Sequence, residues 1–276
     1  DEPHMYFNAG AARIPSTHRN LLAYCKELNV ELEVFINENK TSFVQDDNML
    51  GGRPIRNIDY TTNMRGFMAE LMAKAMNSDE LDAPFTESEA ETLLSMIRSF
   101  GDLNENDLYS GSFRAGYAEG GFLKHGVQKD MIAFRDLLKS RLGRQMMGAN
   151  EGDTGPILMQ PVGGMDKIIS GFLNHVGEQV KYRAMVTSVQ VTDKGVNVAY
   201  DQDGVRHSLE VDYCFNCIPT HLMVGIDHNF PSDYVTAMKY VRRGEAYKAA
   251  FQAKRRFWED LDIYGGISWS NTKSRQ

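Results

Sequence analysis

Chemistry in this 276-residue chain would begin at Gly10-Ala11-Ala12-Arg13. Small side chains at 10–12 let backbone N–H groups lie against a flat ligand, and Arg13 can grip an anion with its planar fork of donors. Gly10 also tolerates a positive φ. Pro15 then stops the extended backbone, and Ser16 or Thr17 stands where a helix cap is needed. An ordinary strand-to-helix turn carrying a surface arginine has the same spacing. Lys248 is the second candidate. Tyr247, Ala249, Phe251 and Ala253 alternate with Lys248, Ala250, Gln252 and Lys254, which predicts a strand with Lys248 on the face opposite Tyr247 and Phe251. A lysine flanked by alanines on an inward face would be desolvated, and a lowered pKa suits proton handling. An edge-strand lysine that discourages aggregation fits the same pattern.

Other reactive types fall away on spacing. Cys214-x-x-Cys217 followed by His221 is half a zinc site without a second pair of ligands, and residues three apart on a strand point to opposite faces. The seven histidines form no His-x-x-x-His or His-Glu-x-x-His, and no Gly-x-Ser-x-Gly elbow offers a nucleophile. Residues 110–121 are glycine-rich but lack the Gly-x-Gly-x-x-Gly order after a strand, so they read as a packed interhelical loop.

The elements that must position Arg13 and Lys248 follow from periodicity. A helix is expected over 16–29 through Leu21, Leu22, Tyr24, Cys25 and Leu28. Leu32, Val34 and Ile36, then Phe43, then the turn before Ile55, read as short strands of a small antiparallel sheet. Helices dominate from Met64 to Gly148. One carries the stripe Phe67, Met68, Leu71, Met72, Ala75 and Met76, expected to be core. A second starts at a capping box of Thr86 with Glu89 and is expected to stop at Gly101. A third is expected over 129–142. From Gln160 the pattern becomes α/β: a helix from Asp166 to Gly177, extended segments through Val186 and Val191, and a hairpin from Val196 to Phe215 around Asp203-Gly204. A charged helix over 231–240 and a last strand over 263–269 complete the chain.

Composition sets the frame. The chain is long enough for a full core. Its formal net charge of -7, with 37 Asp and Glu against 30 Lys and Arg, argues against a nucleic-acid partner. No apolar run approaches the ~20 residues that span a bilayer, which gives an expectation of a soluble protein without a membrane partner. Three cysteines make no disulfide framework and suit a reducing compartment, so a cytoplasmic location is favoured over a secreted one.

Four segments together resemble the flavin-dependent amine oxidase superfamily, and within it the L-amino acid oxidase branch. They are 10–15, then Pro161-Val162-Gly163-Gly164-Met165-Asp166, then Cys217-Ile218-Pro219, and lastly Lys248 through Phe257-Trp258-Glu259 with Ile263-Tyr264-Gly265-Gly266-Ile267-Ser268-Trp269. The resemblance implies FAD, with Gly10, Ala11, Ala12 and Arg13 passing the flavin ring, Val186 at its adenine end, Arg13 holding a substrate α-carboxylate, and Lys248 holding a water. It implies hydride loss from an L-amino acid and hydrolysis of the imino acid to a 2-keto acid and ammonia. Molecular oxygen would be reduced to hydrogen peroxide. A flavin amine oxidase, an amino acid 2-monooxygenase and a non-catalytic binding module are the alternatives.

The expected fold class is α+β, mixed α/β, in four parts. Residues 1–63 and 223–276 would be substrate-domain strands, 64–150 a helical subdomain, and 151–222 part of an FAD-binding domain. The superfamily's glycine-rich dinucleotide turn and its C-terminal FAD segment do not appear in the sequence, so the chain is expected to be an internal piece, inactive alone. Its partners would be the remaining segments of the enzyme or a second copy.

Overall fold

Ile14 is fully buried and Pro15 buried, and together they form an edge of a three-stranded sheet. Strand β1 (Ile14–Pro15) and strand β2 (Leu32–Val34) flank β7 (Leu158–Pro161), both antiparallel to it, with Met159 opposite Ile14 on one side and Val34 on the other. The computed structural model describes residues 5–78, 85–148, 155–242, 244 and 246–272. Helix α1 (Arg19–Glu27) starts later than expected. The Ser16 N–H still donates to the Ile157 carbonyl along the sheet edge, so the cap falls on His18, whose side chain makes no capping bond; neither Ser16 nor Thr17 caps.

A second sheet has three strands. Strand β3 (Phe43–Gln45) pairs antiparallel with β4 (Ile55–Arg56) and parallel with β12 (Trp269–Ser270). The strands expected in one antiparallel sheet therefore divide between two, and one pairing is parallel. The last strand shrinks to two residues because Gly265 and Gly266 turn the chain at φ of 126° and 83°.

Helix α2 (Asn57–Asn77) carries the main core on Tyr60 and Met64, packed with Val44, Met49, Ile55, Leu137, Leu142 and Met146. Its methionine stripe is core only in part: Phe67 packs on the main core and Met76 on the Ala69, Ala73 and Ile97 cluster. Met68, Leu71 and Met72 are exposed, while Thr62, Gly66, Ala69 and Ala73 are buried at the same 3.6-residue period on an adjacent face. Close approach selects the small residues: a Cβ on Gly66 would lie 2.2 Å from the Tyr109 ring, and one on Gly101 would lie 2.2 Å from Ala69 Cβ. Gly101 is thus the last residue of α3 (Glu87–Gly101), and the left-handed cap falls on Asp102; the Thr86–Glu89 capping box is present.

The helix expected over 129–142 breaks into α4 (Phe134–Leu137) and, beyond it, α5 (Gly143–Met147). Side chains of α2 hold its first part extended, since Lys129 Nζ meets Asp59 Oδ1 at 2.7 Å and the Ile132 N–H donates to Asn63 Oδ1. Instead of a plain interhelical loop, 110–128 forms a 3-10 turn and a hairpin of β5 (Tyr117–Glu119) with β6 (Val127–Gln128).

The chain divides into two compact units: Gly10–Met165 with Gln252–Gln276, and Asp166–Phe251 with the residues before Gly10. The boundary expected at 150–151 lies outside the described residues. The second unit holds a sheet of order β10-β9-β8-β11, from β8 (Ala184–Thr192), β9 (Gly195–Gln202), β10 (Val205–Val211) and β11 (Asp227–His228), antiparallel except for β11 on β8. Helix α6 (Asp166–Val176) leads into it, and α7 (Thr220–Met223) and α8 (Ser232–Tyr240) cover it through Met223 and Met238 against Val189. Strand β10 ends at Val211, opposite Val196 and one residue short of the start of β9 at Gly195; Tyr213 and Phe215 lie outside the ladder and are exposed. The whole is an α+β fold. Among the described residues no helix is long and apolar enough to cross a membrane.

Candidate functional site

Arg13 leaves the edge of β1 with its side chain exposed, and its Nη1 donates to Asn37 Oδ1 at 2.5 Å. Asn37 is half-buried on the loop that follows β2. That loop is fixed by the Gly265-Gly266 turn. The Gly266 N–H donates to the Ile36 carbonyl at 3.1 Å, Asn39 Nδ2 to the Gly265 carbonyl at 3.2 Å, and Thr41 Oγ1 to the Asp262 carbonyl at 2.6 Å. A Cβ on Gly266 would stand 2.7 Å from both the N and Cβ of Asn39, so only glycine allows this approach at a positive φ. Arg56 ties the same strip from below, donating to the carbonyls of Thr41 and Leu261 while its guanidinium lies 4.4 Å from the centre of the Phe43 ring.

Gly10 behaves otherwise than expected. Its φ is outside the left-handed region, and a Cβ there would meet nothing within 4 Å. Neither strain nor crowding within the chain requires glycine at this position. Gly10 and Ala11 are exposed and Ala12 is half-buried.

Lys248 departs furthest from expectation. Residues 247–254 form no strand: an extended segment needs a neighbour for its N–H and C=O groups, and no ladder pairs with it among the described residues. Lys248 is exposed, not desolvated, and its Nζ donates to the Asn8 carbonyl at 3.1 Å. Val186 lies in β8 opposite Tyr200, immediately before a bulge at Thr187, and its side chain packs on the Val189–Met223–Met238 cluster. Gly10 to Arg13 belong to the first unit, and Val186 and Lys248 to the second.

A buried carboxylate next to the Arg13 framework escaped the sequence reading. Asp46 is fully buried and accepts from the backbone N–H groups of Asn48 and Arg141 and from the side chains of Asn48, Ser140 and Asn271. Burial alone would raise its pKa, but the donors of Asn48, Arg141 and Ser140 together hold it below the ordinary carboxylate value. A separate cleft of about 280 Å³ lies along the start of α2, lined by Phe43, Arg53, Arg56, Asp59, Asn63 and Lys129 among others. None of the candidate site residues Gly10, Ala11, Ala12, Arg13, Val186 and Lys248 lines it.

These features belong to a known class: the chain is a member of the flavin containing amine oxidoreductase family, whose model matches residues 4–275. Curated relatives include an L-amino acid oxidase of Bothrops pictus, 25% identical over 280 residues that cover 98% of this chain and 54% of that protein. Another is an L-amino-acid oxidase of Demansia vestigiata, 23% identical and covering 98% of this chain and 52% of that protein. The chain thus spans about half the length of the curated relatives it matches. Among solved structures, a putrescine oxidase is 14% identical over 85% of this chain and 52% of its own, with a TM-score of 0.42. A cyclohexylamine oxidase from Brevibacterium oxydans is 12% identical over 84% of this chain and 52% of its own, also with a TM-score of 0.42. The cofactor of the family is FAD.

Proposed function

We propose that the protein carrying this chain oxidises an L-amino acid with FAD and oxygen, releasing a 2-keto acid, ammonia and hydrogen peroxide. In this reading 1–63 and 223–276 supply substrate-domain strands, 64–150 the helical subdomain and 151–222 part of the FAD-binding domain. The observation that carries it is the state of Arg13. Arg13 is exposed next to the small residues 10–12, and its one partner among the described residues is the neutral Asn37 amide.

FAD, when bound, supplies the two-electron acceptor. Gly10, Ala11 and Ala12 would lie along one edge of its ring, and Val186 would stand at the adenine end. Arg13 would hold the α-carboxylate through paired charge-assisted hydrogen bonds and so fix the orientation of the Cα–H bond. Lys248 would hold a water for hydrolysis of the imino acid. The relatives named as L-amino acid oxidases support an amino acid over a simple amine as substrate.

An anaerobic absorbance titration of the purified full-length protein with a panel of L-amino acids tests this. Bleaching of the flavin bands, with keto acid and ammonia recovered, is expected. A protein without flavin absorbance, or one bleached by primary amines and by no amino acid, would contradict the proposal; recovery of an amide once oxygen is admitted would point to monooxygenase chemistry, whose product takes an oxygen atom from O2.

A further inference from the structure

We infer that Asn37 is the positioning residue for Arg13, holding one guanidinium nitrogen with a neutral oxygen so that the positive charge is left for an external carboxylate. The inference rests on the reading of Arg13 as a carboxylate anchor and goes beyond it by naming what keeps that anchor both fixed and unneutralised.

A guanidinium carries five N–H donors in a rigid fork. Asn37 Oδ1 takes a bond from Nη1 alone, which leaves the Nε and Nη2 edge able to meet both oxygens of a carboxylate. The partner's chemistry decides the rest. Arg98 pairs with Asp107, Arg114 with Asp102, Arg183 with Asp203, Arg255 with Asp260 and Arg256 with Glu259. Arg13 forms no such ion pair among the described residues. An aspartate at position 37 has the same shape and would neutralise the guanidinium; asparagine holds it without doing so.

The backbone that carries Asn37 is held on both sides. Phe35 continues the β2 edge by donating to the Leu158 carbonyl at 2.8 Å, and Ile36 accepts from Gly266. Beyond Asn37, the Asn39 side chain bridges Thr41 and the Gly265 carbonyl. Arg13 and Asn37 are also registered on one strand, since β7 pairs with β1 at Ile14 and with β2 at Val34, both through Met159.

Calorimetric titration of the full-length protein with benzoate, and with benzamide as its uncharged counterpart, tests the inference; thermal melts report folding of each variant. For Asn37→Asp, benzoate is expected to bind about tenfold weaker or worse with benzamide unchanged, the size of a lost charge-assisted contact. Asn37→Gln, which keeps a neutral acceptor, should stay closer to wild type than Asn37→Asp. Asn37→Asp binding benzoate as wild type does, weakening both probes alike, or outperforming Asn37→Gln would each overturn the role of Asn37. Arg13→Ala separates the two levels. If it loses benzoate while Asn37→Asp does not, only the positioning role fails; if Arg13→Ala itself binds benzoate normally, the anchor reading fails with it.

Discussion

Arg13 and the strip 36–41 depend on a contact made more than two hundred residues away, at the Gly265-Gly266 turn. Gly266→Ala would force a Cβ against Asn39 at a φ of 83°, where no L residue is at ease. A loss of about 2 kcal/mol or more is expected in chemical denaturation, from strain and crowding together. Part of this was legible beforehand. Small residues followed by an arginine mark open backbone with a charge, and paired glycines mark a turn. Asn37 was not, because an asparagine after a strand reads as a turn former, and its contact with Arg13 arises only when β1 and β2 meet on β7. Lys248 shows the opposite error: alternation promised a strand, yet alternation fixes only which residues share a face, and a strand also needs a neighbour to bond.

At the scale of elements, buried donors and small residues decide the arrangement. Asp46 accepts from loop, turn and C-terminal segments at once, and Asp46→Asn would present an amide NH2 to partners of which only the Ser140 hydroxyl can accept. About 2 kcal/mol of destabilisation is expected from the orphaned donors, read from a denaturation midpoint. Thr86→Ala removes the α3 capping box and should cost about 1 kcal/mol by the same measurement. The capping box was readable from four residues because its geometry is local. The buried face of α2 was not. Its apolar stripe and its small-residue face share a period, and packing against Tyr109 and Gly101 selected the small one.

Across the molecule, carboxylates set the acid limit. Burial first raises and hydrogen bonds then more than offset the pKa of Asp46 and Glu70; the Thr86 bonds lower Glu89 and the Arg98 bond lowers Asp107. Groups with lowered folded pKa stabilise the fold above their unfolded value, near 4, and lose that contribution as pH falls through the folded value. Melting temperature should therefore drop steeply below about pH 4. The alkaline side has the reverse sign: burial, then the Asp102 charge, push Tyr109 up to about 12, so the unfolded state deprotonates first and stability declines above about pH 10. The central claim is the carboxylate anchor at Arg13, and comparing kcat/KM for an L-amino acid and for its decarboxylated amine, in the wild-type full-length protein and in Arg13→Ala, tests it most directly. Loss of about 2 kcal/mol or more, roughly thirtyfold, on the amino acid with the amine unchanged is the expected result. Equal losses on both substrates, or none on either, would contradict it.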